Sequence, residues 1–189
     1  MVYAALLRGI NVGGNNKVSM AGLKTYFESL GYDNVKTYIN SGNVLFASDR
    51  TAEIAAKQIE KGLQKTFELK EPIKVLVISH DQLKAIIVQA PKGFGQEPAV
   101  YHSDVLFLMG ATSANAMGQL EMHPEVDIAW PGDGIVYYQR LSAKRTKSRL
   151  SKIVSKPIYK SITIRSWSTV CKLAGLMGEL SPTATTSNK

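Results

Sequence analysis

The chain has 189 residues, 44% of them hydrophobic and 20% charged, with a formal net charge of +8 and a single cysteine. These proportions fit a folded globular protein and exclude a disordered or disulfide-stapled chain. No apolar run approaches the roughly 20 residues that cross a bilayer, and the length allows one large domain or two small ones. Arg8 interrupts the short apolar run at the N-terminus and no small-residue cleavage site follows, so no signal peptide is expected. With Cys171 as the one thiol, the expected compartment is the reducing cytoplasm.

In chain order, Val2–Ile10 reads as a strand, and its run Val2–Leu7 is apolar at successive positions, as in a strand buried on both faces. A loop rich in Gly and Asn follows. Helical spacing then resumes at Ser19 and runs to Leu30, through Met20, Leu23, Tyr26, Phe27 and Leu30, with Gly31 placed to take a left-handed cap. Strands are expected at Val35–Asn40 and Asn43–Ala47, joined by the turn residues Ser41 and Gly42. A helix over Ala52–Phe67 carries Ile54, Ile59, Leu63 and Phe67 after a Thr51 N-cap. A strand at Ile73–Ile78 and a helix at Asp81–Gln89 complete the half. The order β-α-β-β-α-β is the split βαβ, or ferredoxin-like, arrangement.

A Pro/Gly-rich stretch from Ala90 to Pro98 breaks the pattern. Beyond it the order recurs: strand Val105–Met109, helix Ser113–Met122, strands Val126–Trp130 and Ile135–Gln139 around a turn at Pro131–Gly134, helix Ala143–Val154, strand Ile158–Ile164 and helix Trp167–Met177. The fold class is therefore α+β, two ferredoxin-like β-α-β-β-α-β repeats with additional helices. The expected division is a first repeat over 1–90, a linker over 91–100, a second repeat over 101–180 and a disordered tail over 181–189. An RNA-recognition module of this topology needs an open aromatic sheet face, which the apolar first strand disfavours.

Charge is unevenly placed. Residues 101–139 hold five acids and no Lys or Arg, whereas Arg140–Arg165 holds nine bases and no acid. Such asymmetry raises the case for a phosphate-bearing partner; the plainer alternative is a solvated basic helix with counter-charge supplied by its neighbours.

The segments Leu6–Lys17, Val18-Ser19-Met20 and Thr37–Val44 resemble the bacterial domain-of-unknown-function family 1697. So do Ser148-Arg149-Leu150 and Thr163-Ile164-Arg165-Ser166-Trp167-Ser168-Thr169-Val170-Cys171-Lys172-Leu173. The family pattern has Ser-Lys-Leu at the first of these two places and Thr-x-Arg-Asn-Trp-x-Thr-Val-x-Lys-Leu at the second. Arg149 keeps the charge of the usual Lys, and Ser166 removes the usual amide. The resemblance spans residues 2–177 and implies an α+β fold, without implying an activity, cofactor or catalytic residue.

Strand, Gly-rich loop and helix N-terminus form an arrangement in which backbone N–H groups can converge on an anion. Candidate anion-binding residues are Arg8, Asn11, Gly13, Gly14, Asn15 and Lys17, with Asn40 and Asn43 of the hairpin tip as further candidates. The spacing matches neither the Walker A loop nor the dinucleotide fingerprint. Lys147, Arg149 and Arg165 are candidates for additional positive charge, and Trp167 for a stacking surface. The alternative for the loop is a tight turn requiring positive φ at Gly and Asn. Whether Asn40 and Asn43 line the loop is open at this level.

Cys171 falls in a helical apolar stripe and reads as core. His80, His102 and His123 have no metal-ligand spacing, and the run Glu121–Asp127 reads as a solvated acidic connection, so neither metal nor cofactor is expected. The expected partner is a nucleotide or nucleic acid, with no membrane. Two rivals stand beside that reading: an enzyme acting on a phosphorylated metabolite with an acid or base such as His102, and a structural homo-oligomer.

Overall fold

The computed structural model describes residues 1–12 and 16–180. The chain divides into two compact units: Met1–Leu83 together with the segment from Lys172, and Lys84–Cys171. Each contains one four-stranded antiparallel sheet.

In the first unit the order is β1 (Val2–Leu7), α1 (Met20–Ser29), β2 (Asp33–Tyr38), β3 (Asn43–Ala47), α2 (Ala52–Thr66), β4 (Val75–Ser79), followed by α3 (His80–Val88). The strands lie side by side as β2-β3-β1-β4. All six residues of β1 are buried between β3 and β4, as its unbroken apolar run requires. Helix α1 is capped by Ser19, whose hydroxyl accepts from the Gly22 N–H, and ends where Gly31 turns left-handed at φ +79°. It buries Leu23, Tyr26 and Phe27, and α2 buries Ala55, Ile59 and Leu63. These residues close one core with Tyr3, Ala5, Leu7 and Phe46. Ile54, expected on the buried stripe of α2, is 54% exposed. Ala55 sits one position further round, where the stripe through Ile59 and Leu63 demands it.

The second unit follows with β5 (Tyr101–Leu108), α4 (Ser113–Gln119), β6 (Asp127–Gly132), β7 (Ile135–Leu141), β8 (Ile162–Ser166) and α5 (Trp167–Leu180), the last running on into the first unit's segment. Its strand order is β6-β7-β5-β8, all pairs antiparallel. The turn expected over Pro131–Gly134 is confined to Asp133 and Gly134, because Pro131 and Gly132 still pair with Val136 and Ile135. Pro131 fits there because β6 is an edge strand, where a missing N–H costs no ladder bond.

The helix expected over Ala143–Val154 does not form. Three 3-10 turns, Ser142–Lys147, Leu150–Ser155 and Pro157–Ser161, replace it and also take the first residues expected of the last strand. Ser148 between them is extended (φ −60°, ψ 141°), and the Asp127 carboxylate accepts the Arg149 N–H at 2.9 Å, taking a donor that a continuous helix would use internally. Leu150 and Ile153 are buried, whereas Val154 is 59% exposed. Phe94, in the Pro/Gly-rich stretch, is buried against Trp130, Tyr137 and Trp167. Cys171 is exposed rather than core: the buried stripe of α5 runs through Val170, Leu173, Ala174 and Met177, and Cys171 is turned one residue away from it.

Candidate functional site

Strands β1 and β2 run in the same direction, each antiparallel to β3 between them, so the chain leaves both at the same end of the sheet. This brings the strand-to-helix loop and the hairpin tip together. The Leu7 N–H donates to Gly42 O at 2.8 Å, and Ile10 is buried beneath the tip. A Cβ on Gly42 would stand 2.8 Å from the Ile10 side chain, so this close approach, at φ +74°, requires glycine.

Asn11 is the brace of the assembly. Its Nδ2 donates to Val18 O (2.9 Å) and Asn40 O (3.0 Å), and its Oδ1 accepts the Val18 N–H (2.9 Å). Its backbone N–H meets Asn16 O, and the Asn16 amide returns to Gly9 O at 3.3 Å. Asn11 and Asn16 are both left-handed, at φ +55° and +47°, a conformation that Asn tolerates better than other side chains. Asn43 is fully buried, its amide donating to Tyr38 O and Ser41 Oγ. Both amides are therefore committed within the chain. Ile39 is β-branched, half-exposed and left-handed at φ +47°. Such a conformation costs roughly 1–3 kcal/mol, and nothing in the sequence around it signals this.

Around this frame Arg8 is half-buried, its N–H held by Lys74 O, while Lys17 and Val12 are exposed. Gly13, Gly14 and Asn15 lie outside the described residues.

In the second unit acids of the first segment form ion pairs with part of the basic one. Glu121 takes Lys152 at 2.8 Å and Lys156 at 2.9 Å, and Glu125 takes Lys144 at 3.2 Å. The two lysines hold the Glu121 carboxyl down at about 2. The run Glu121–Asp127, expected to be a solvated connection, is thus a set of anchors for the basic segment. Burial pushes the Asp127 carboxyl up, but the Arg149 N–H, the Ser148 hydroxyl and the His123 N–H more than reverse this and hold it below its ordinary value. Lys147 and Arg149 remain exposed, with one Arg149 nitrogen 3.4 Å from Met122 O.

Arg165 does not present its charge to solvent. It is 7% exposed, its Nη1 donating to Thr163 Oγ1 (2.8 Å) and Ile164 O (2.9 Å), and burial lowers it to about 10. Trp167 packs its ring on Phe94 at 5.1 Å and against Gly95, where a Cβ would overlap it. Ser166 stands at the N-cap of α5: its Oγ accepts the Thr169 N–H at 3.3 Å. Ser and Asn are comparable N-caps, so the departure from the family's Asn at this place preserves a local role.

On β5, His102 Nε2 lies 3.3 Å from Asp104 Oδ1, and Arg140 Nη2 lies 2.8 Å from Asp104 Oδ2. Burial raises the Asp104 carboxyl, against the opposing pull of Arg140, His102 and Arg145. Among the described residues no group of three His, Cys, Asp or Glu is arranged to hold a metal ion. No helix among them is long and apolar enough to cross a membrane.

An α+β protein with two four-stranded antiparallel sheets is the class these observations define. The chain belongs to the family described as "Protein of unknown function (DUF1697)", whose model matches residues 1–137. The carboxy-terminal motif around Thr163–Leu173 lies beyond that match. A solved structure described as that of a conserved bacterial protein from Streptococcus pneumoniae is similar at 26% identity and a TM-score of 0.78, over 93% of this chain and 98% of that one. No curated protein matches.

Proposed function

We propose that the Arg8–Lys17 loop and the Ile39–Asn43 tip together bind a phosphate-bearing ligand, a nucleotide or nucleic acid. The observation that carries this reading is the Asn11–Asn40 hydrogen bond, which ties two loops from different strands into one frame bearing Arg8 and Lys17. In it Asn11 and Asn43 hold shape rather than ligand. Arg8 and Lys17 supply charge. The left-handed Ile39 is consistent with the reading, since strained positions gather where a surface has work other than stability. Lys147 and Arg149 belong to the second unit and are assigned no contacts in this frame. Arg165 and Trp167, engaged in packing, are assigned none.

The architecture behind this reading is two ferredoxin-like repeats, supported by the shared strand order of the sheets, with the second crossover helix of the later repeat replaced by 3-10 turns. A cytoplasmic setting goes with a lone exposed thiol and a nucleotide-class ligand.

A thermal-shift screen of nucleotides and phosphorylated metabolites tests the proposal. A ligand at a hundredfold its Kd stabilises by about 2.7 kcal/mol. The expected result is a rise in Tm that weakens with salt and is lost in the Arg8→Ala/Lys17→Ala double variant. A rise that survives the double substitution would place the ligand elsewhere and overturn the reading.

A further inference from the structure

His102 and Asp104 stand two residues apart on β5 and so project from one face of the sheet. Arg140, on β7, is the direct cross-strand neighbour of His102. Asp104 is only 5% exposed, and both its oxygens are committed, Oδ2 to Arg140 and Oδ1 to His102. A neutral imidazole whose Nε2 faces a carboxylate carries its proton there, which leaves the lone pair on Nδ1. That nitrogen has no hydrogen-bond partner among the described residues, and the His102 side chain is 37% exposed. Arg145 is exposed, and its charge reaches the Asp104 carboxylate.

Charge balance does not require the histidine. Arg140 alone neutralises Asp104 at 2.8 Å, and a half-exposed ring adds little burial. What the arrangement does supply is an imidazole fixed in one tautomer on a partly exposed ring, with the Arg145 charge within electrostatic reach of its carboxylate partner. This is the relationship between base and orienting acid that proton-transfer sites share.

We propose that His102 Nδ1 is an acid–base centre of the second unit, acting on a small molecule that carries an oxyanion, drawn by Arg145, and an ionisable hydroxyl. Nδ1 takes the hydroxyl proton, the O–H electron pair stays on oxygen, and the imidazolium, stabilised by Asp104, returns the proton in the reverse step. Asp104 and Arg140 are positioning residues. His102, Asp104, Arg140 and Arg145 all belong to the second unit.

The test needs no known substrate. Nitrogen-15 NMR of the whole chain at neutral pH is expected to show His102 in the Nε2–H tautomer. Diethylpyrocarbonate is expected to modify His102 faster than His80 or His123. Asp104→Asn should slow that modification about tenfold, far less than the loss seen when an orienting carboxylate is removed from a full catalytic triad. Inorganic phosphate at millimolar concentration should protect His102 in the native chain and not in Arg145→Ala. Should Asp104→Asn fail to fold, the native tautomer and the Arg145-dependent protection decide the matter. An Nδ1–H tautomer, an unchanged rate in folded Asp104→Asn, or protection indifferent to Arg145 would each overturn the proposal.

Discussion

Two connections occupy the same place in the two sheets and are built differently. Helix α2 links β3 to β4, and the chain from Ser142 to Ser161 links β7 to β8. The first is an amphipathic helix of 15 residues, started by the Thr51 hydroxyl and held by a stripe of Ala55, Ile59 and Leu63. The second has three apolar anchors of comparable depth, Leu150, Ile153 and Ile158, within a series of 3-10 turns. It is pinned from outside by Asp127, Glu121 and Glu125. The contrast separates two ways of fixing a crossover. One buries a face and lets local periodicity supply the backbone bonds. The other hands the backbone donors and the charges to side chains remote in sequence.

The largest expected effect lies on the helical side. Ile59→Ala removes a fully buried side chain from the first core and should cost about 2–5 kcal/mol in denaturant unfolding. Val154→Ala, on the second connection and mostly exposed, should stay within about 0.5 kcal/mol. Similar losses at the two positions would erase the distinction.

Next comes the anchor of the non-helical side. Asp127 Oδ2 accepts the N–H of His123 and of Arg149, each at 2.9 Å. Asp127→Ala leaves both donors to find other partners and should cost about 2–3 kcal/mol. The pH dependence follows from the direction of its shift. The folded-state carboxyl titrates below its ordinary value, so the ionised form is the one folding favours. Its contribution is complete above the unfolded-state value and is lost as pH falls through the folded one, below roughly pH 4. Asp127→Asn should flatten that acid limb in an unfolding series between pH 2 and 6, while the neutral-pH loss stays smaller than that of Asp127→Ala.

These differences explain what was legible in the sequence. Helix α2 could be placed because its cap, its stripe and its end are all local, and only Ile54 was set on the wrong side of the stripe. The Ala143–Val154 segment has apolar residues at Leu150, Ile153 and Val154 that mimic a helical stripe. The group that breaks the helix, Asp127, is 22 residues away from the N–H it captures. No window along the chain contains both partners. The same limit applies to the candidate site. The loop and the hairpin tip could each be read as turns, but their meeting depends on β1 and β2 running parallel across β3. The committed amides of Asn11 and Asn43 follow from that meeting, and so could not be told apart from ligand-facing amides. Arg165 reads as available charge in the sequence because its burial depends on the sheet around it.

A smaller effect tests the local side of the contrast. The Thr51 hydroxyl accepts the Ile54 N–H at 3.4 Å, long for such a bond. Thr51→Ala should therefore cost about 0.5–1 kcal/mol, the lower part of the range for N-caps, measured as a shift of the urea midpoint at unchanged slope.

The smallest effect is the most discriminating. Glu121 faces Lys152 and Lys156 at the surface, and these two cations hold its carboxyl at about 2. Like Asp127, it therefore favours the fold while ionised, and its contribution fades as pH falls from the ordinary carboxylate range towards that value. The two acids share an acid window, and pH alone cannot apportion it. Salt can. An exposed ion pair is screened when the Debye length shrinks to roughly 3 Å at 1 M, whereas Asp127 is buried and bonded to backbone N–H groups that counter-ions do not replace. Glu121→Gln should lower Tm slightly at low ionic strength and leave it unchanged in molar salt, while the Asp127→Asn deficit should persist in both. If the Glu121→Gln deficit also persists in molar salt, the connection is held by its outer charges as firmly as by its buried acceptor, and the division of labour drawn between the two acids fails.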